Sequence, residues 1–180
     1  MLTVIVPESE LFDSAKNEFI YVKEQTLKLE HSLLSVSKWE AKWKKPFLGK
    51  ESKTWDETID YIRCMTINSN VDPVVYKNMP RKVIERINNY IDDPMTATTF
   101  REDNKRGGGE IITSEIIYYW MVNFNIPFEC EKWHLNRLLT LVKVCSIKSD
   151  ASQKKMKKNE ILAQNNKINE MRRRQLGSKG

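Results

Sequence analysis

Five side chains in this 180-residue chain are suited to nucleophilic or metal chemistry: His31, His134, Cys64, Cys130 and Cys145. A nucleophilic thiol needs a base within hydrogen-bond reach, and a structural metal needs ligands at short, repeated spacings. Neither pattern occurs. His134 and Cys145 fall on one expected helix, but the eleven residues between them span about 16 Å at the rise of an α-helix, too far for proton transfer. His31 belongs to a different element. The cysteines are odd in number, scattered and set among apolar neighbours, the pattern of buried thiols in a reducing cytoplasm. His134, next to Trp133 near a helix start, reads as a structural imidazole bonded to a backbone group. No metal and no other cofactor follows from these residues.

Carboxylates are plentiful but already have work to do. Asp56, Glu57 and Asp60 open a helix, where negative charge favours the helix dipole, and Glu57 completes a capping box with Thr54. Asp92 and Asp93 precede Pro94 at a helix end, and Glu129 and Glu131 flank Cys130 at another helix start. None sits beside a nucleophile, so glycoside, phosphoryl and acyl chemistry lack their pairs. Gly107, Gly108 and Gly109 suggest a phosphate cradle. No Lys-Ser/Thr follows them, and their spacing matches neither the P-loop nor the dinucleotide pattern. A surface loop is expected over 101–110. The chain reads as a binding protein and not as an enzyme.

Two features could bind a partner. Trp39 and Trp43 share a helix with Lys38, Lys42, Lys44 and Lys45. The tryptophans either fill the core or, with Lys42, form an exposed aromatic and basic docking face. The second feature is the C-terminal segment. The net charge is +6, but residues 1–147 hold 20 Lys/Arg against 21 Asp/Glu, while 148–180 hold 10 against 3. The basicity is therefore all in the tail, from the lysines at 154–158 to Arg172, Arg173 and Arg174. Ile161, Ile168 and Met171 could share a weak apolar seam along it. A phosphate backbone or an acidic protein would both suit such an arm.

The elements that must position these residues follow from periodicity. Leu2 to Val6, Glu18 to Val22 and Thr26 to His31 are strand-like, with Pro7 to Glu10 ending the first; together they predict a small antiparallel meander. Helices are expected from Ser32 to about Lys44, stopped by Pro46, from Thr54 along a stripe of Trp55, Ile59 and Ile62, and from Pro80 to Ile91. Asn68 to Met79 reads as loop. Ile111 to Ile147 is the most apolar stretch, a helix–loop–helix pair broken at Pro127 and taken as the core. Residues 149–153 read as a linker, and the segment beyond as a basic helix frayed in isolation. The expected class is α+β, mainly α: a meander (about 1–31) packed on a helical core (about 32–147), with a detached basic C-terminal helix (148–180). No apolar run approaches the roughly 18–20 residues of a membrane span, and the start lacks the features of a signal peptide.

Four blocks carry a resemblance: Ser37-Lys-Trp-Glu-Ala-Lys-Trp-Lys-Lys-Pro-Phe47, Thr58-Ile-Asp-Tyr-Ile-Arg-Cys-Met65, Ile112-Thr-Ser-Glu-Ile-Ile-Tyr-Tyr-Trp-Met121 and Lys132-Trp-His-Leu-Asn-Arg-Leu-Leu-Thr-Leu141. Together they resemble the tail assembly chaperones of tailed bacteriophages, made from the region just upstream of the tape-measure protein. The resemblance implies a non-enzymatic role in the host cytoplasm: binding the long helical tape-measure protein, or other phage tail proteins, before tube subunits polymerise. Self-association is compatible with it. A structural tail or baseplate component, retained in the virion, and a nucleic-acid-associated phage protein using the basic tail are the alternatives.

Overall fold

The computed structural model describes residues 1–13, 17–100 and 111–176, so the glycine loop expected at 101–110 lies outside them. The class is the expected one, a small N-terminal antiparallel sheet on a mainly α-helical body. The strands are β1 (Leu2–Val6), β2 (Ser9–Asp13), β3 (Glu18–Val22) and β4 (Gln25–Leu29). Their connectivity differs from a three-strand meander. β1 pairs with β4 and β2 with β3, and one register runs from Leu2↔Leu29 through Val6↔Gln25 to Ser9↔Val22 and Asp13↔Glu18. The result is a single long hairpin interrupted at its middle. Pro7 accounts for the interruption, since it has no N–H to donate to the ladder. The strand then resumes through Leu11 and Phe12, a stretch too short and too acid-flanked to show a clear period.

The inner half of the hairpin is the anchored half. Val4, Val6, Leu27 and Leu29 are buried, alternating with exposed neighbours as a half-buried sheet requires. The outer edge of β4 is covered by the chain that leaves the second helix. Glu30 N–H donates to Met65 O (2.9 Å) and Ile67 N–H to Lys28 O (2.8 Å). The Asn68 side-chain amide continues this pairing, accepting from Lys28 N–H and donating to Thr26 O.

α1 (Leu33–Trp43) begins at Ser32, whose hydroxyl accepts from Ser35 N–H. It ends at Lys44, the expected limit, which adopts a left-handed φ of 54° and donates its N–H to Glu40 O. α2 (Trp55–Met65) carries the capping box of Thr54 and Glu57. Its inward face is Glu57, Tyr61, Ile62 and Met65, one step round from the expected stripe, and Trp55 is left outside. α3 (Val74–Lys77) is a single turn within the expected loop, held by buried Val75 and Tyr76. α4 (Arg81–Asp92) buries Ile84, Ile87 and Tyr90. α5 (Ser114–Asn123) buries Ile117 and Met121. A 3-10 turn (Phe128–Lys132) then leads to α6 (Leu135–Leu176).

The apolar stretch 111–147 does supply core residues, among them Ile117, Met121, Leu135 and Leu138. The centre of packing is nevertheless α1, against which α2, α5 and the 3-10 turn all lie. The expected linker at 149–153 is a correction: α6 runs through it without a break. Between Leu135 and Leu176 there is neither proline nor glycine. Extending a helix whose first turns are already fixed avoids the nucleation cost that makes a free segment fray. By its contacts the chain divides into two compact units, Met1–Thr140 and Leu141–Gly180, a boundary several residues before the one expected from composition.

Candidate functional site

The structure takes the Trp39 face out of contention as a docking surface. Trp39 is 1% exposed, and its indole N–H donates to Glu57 O (2.9 Å). Trp43 is half-buried and stacked on Trp39, with its indole N–H donating to Asp60 (2.9 Å). The Lys42 ammonium pairs with the other oxygen of Asp60. The aromatic and basic face is thus an α1–α2 interface. An indole buries its ring favourably only when its N–H finds an acceptor, and α2 provides one for each tryptophan. Lys45, from the same basic run, bonds Glu57 (2.7 Å), and that ammonium, followed by the Thr54 backbone, holds the Glu57 carboxyl below its ordinary range.

Two groups that the sequence placed in separate elements do meet. His31 and His134 pack edge to face at 5.0 Å between ring centres, and both are buried. Their backbones are joined as well, by a β-bridge between Ser32 and His134 and by Leu135 N–H donating to His31 O (2.7 Å). His134 Nε2 donates to Tyr90 O (2.9 Å), while its Nδ1 accepts from Asn136 N–H. One nitrogen donates and the other accepts, so this ring is a neutral imidazole. It does bond a backbone group at its own helix start, the Asn136 N–H in the first turn of α6, and a second one at the end of α4. His31 Nδ1 lies against Tyr61 Oη. Burial, with His134 as a second cause, lowers the pKa of His31 to about 3, and burial raises that of Tyr61 well above its usual value. Tyr90, packed edge to face on His134 at 4.9 Å, donates its hydroxyl to Glu30 (2.6 Å), which also pairs with the Met1 ammonium (2.7 Å).

This cluster joins the β4–α1 junction, α2, α4 and the start of α6, and its chemistry is structural. Its imidazoles are 2% and 6% exposed, and the Tyr61 and Tyr90 oxygens are pushed toward their protonated forms, by burial first. The nearby thiol of Cys64 borders a surface groove of about 370 Å³ with Lys38, Lys42 and Arg63. Burial raises its pKa, the opposite of what an activated nucleophile needs. Among the described residues, no three His, Cys, Asp or Glu side chains gather where they could hold a metal ion. No helix described is long and apolar enough to cross a membrane.

What remains open to a partner lies elsewhere. On α6, Ile161, Leu162 and Met171 are exposed, at 57, 51 and 59%, Ile168 is half-exposed, and Arg172 and Arg173 are exposed beside them; of Arg174 only the helical backbone is described. Sequence reasoning passed over a second surface at the outer half of the hairpin. There Phe12 and Phe19 stand opposite each other with ring centres 5.1 Å apart. Both are exposed, as is Tyr21, at 52, 71 and 55%. The available signal was three aromatics in a short strand pair flanked by acids. Compared with family models, with curated proteins and with solved structures, the chain gives no match.

Proposed function

We propose that this chain is a non-enzymatic binding protein, a tail assembly chaperone that holds the tape-measure protein before tail-tube polymerisation. The observation that carries the reading is the apolar seam left open on a basic helix, exposed Ile161 and Met171 with half-exposed Ile168 between them, beside Arg172 and Arg173. In helix-in-groove recognition, apolar anchors at helical spacing supply affinity and charges set the register. A long helical client could be held by many such weak contacts in parallel. The four blocks that resemble phage tail assembly chaperones name the client class. The site on this chain is the distal part of α6, with the α1 tryptophans withdrawn from it.

The test is co-expression with the tape-measure protein encoded beside it, followed by pull-down of the full chain and of Ile161→Ser/Met171→Ser. Capture by the full chain and loss with the variant supports the proposal; no capture by either overturns it. Purified virions lacking the chain distinguish a chaperone from a tail or baseplate component. The excess of +7 in residues 148–180 favours one other reading, binding to a nucleic-acid backbone. That binding would weaken steeply with salt, whereas capture through apolar contacts would persist.

A further inference from the structure

The molecule exposes two amphipathic surfaces of opposite charge. On α6, Lys158, Ile161, Asn165, Ile168 and Arg172 follow one another at steps of three and four residues, so they share one face. This face is an apolar pair bracketed by cations. On the hairpin, Phe12↔Phe19 and the adjacent cross-strand pair Glu10↔Tyr21 share one face of β2–β3. Tyr21 Oη donates to Glu8. Glu8, Glu10 and Glu18 are exposed. From Glu8 to Glu24 the chain carries five acids against two lysines. Among the described residues, β2 and β3 pair only with each other, unlike β4 with its covered edge.

We propose that the outer hairpin of one molecule receives the α6 face of a second copy of this chain. Phe12, Phe19 and Tyr21 cover Ile161 and Ile168, while Glu10 on the same face and Glu8, bonded to Tyr21, supply the negative charge that attracts the flanking Lys158 and Arg172. Charge selects this pairing over the symmetric ones. Two α6 faces brought together would oppose Lys158 and Arg172, and two hairpins would oppose their glutamates. The interface is thus heterologous, with each molecule offering one donor and one acceptor surface. Such contacts propagate into rings or open filaments unless closed. This inference does not depend on which client the chain binds, and it is tested without one.

Sedimentation velocity on nuclease-treated full chain, over a concentration series at low and high salt, gives the first reading. Association growing beyond a dimer with concentration and receding with salt is expected. The deciding test uses two full-length variants at exposed positions, Phe12→Ser/Phe19→Ser and Ile161→Ser/Arg172→Glu, each first shown by circular dichroism to retain its fold. Each alone should be monomeric, with association weakened by about tenfold or more, as expected when apolar anchors or a cross-interface charge are lost. Mixed in equal amounts they should form a heterodimer that grows no further, because one intact donor surface meets one intact acceptor surface. A wild-type chain that stays monomeric overturns the proposal. So does a variant that associates like wild type, a mixture that remains monomeric, or association that appears only when nucleic acid is added back.

Discussion

Glu40 shows how much one buried side chain can organise. It is 7% exposed, and its two carboxylate oxygens accept from Phe47 N–H and Ser114 N–H, each at 2.7 Å. One residue thus ties the turn after α1 to the first turn of α5, 74 residues away. Glu40→Ala strands both donors, and at about 1–3 kcal/mol per unsatisfied buried group the loss should be roughly 2–6 kcal/mol. Glu40→Gln keeps one acceptor and should lose less; urea unfolding of the two variants checks the order. His31 makes a prediction in pH. Its pKa is about 3 in the folded chain against roughly 6.5 when unfolded, so the unfolded state takes up the proton first. The stabilisation is complete above about 6.5 and is lost as pH falls toward 3, with a limiting slope of about 1.4 kcal/mol per pH unit. Between pH 6.5 and 5 few carboxylates titrate, and chemical denaturation there should show this slope in the wild type and a flatter one in His31→Phe.

At the scale of elements, the ends of helices obey local chemistry and their faces do not. Ser32, the Thr54–Glu57 box and Pro80 mark starts through contacts within a few residues, and all three are visible in the sequence. The inward face of α2 was off by a step, because Trp55 could be counted as core until α1 took up the space beside Tyr61 and Ile62. α6 illustrates the converse, where a weak sequence signal yields a continuous helix because its first turns are already fixed. Ala163→Pro should break that continuity, since an interior proline costs roughly 3 kcal/mol. Far-ultraviolet circular dichroism should lose helical signal. The tryptophan emission should stay unchanged, because all five indoles precede α6.

For the whole molecule the governing quantity is the division of charge. The full chain carries +6, and residues 1–147 alone carry 20 basic and 21 acidic side chains. At pH 7 and low salt, the full chain should bind a cation exchanger and a chain ending at Ile147 should pass through it. Equal retention of the two would mean that the tail charges are already neutralised within the molecule. The same division places attraction at long range between copies, where salt screens it with a Debye length of about 8 Å at physiological ionic strength.

The sequence by itself determined the class, the positions of most helix starts, the strands β1, β3 and β4, and the separation of a neutral body from a basic tail. These depend on interactions within a turn or on composition, and both are present in the linear order of residues. Only the tertiary structure decided that Trp39 is core and Phe12 and Phe19 are surface, that His31 and His134 touch, and that Glu40 ties the turn after α1 to the first turn of α5. Each of these turns on which segments, tens of residues apart, come to lie against one another. A tryptophan beside lysines reads the same whether or not an aspartate from another helix arrives to meet it.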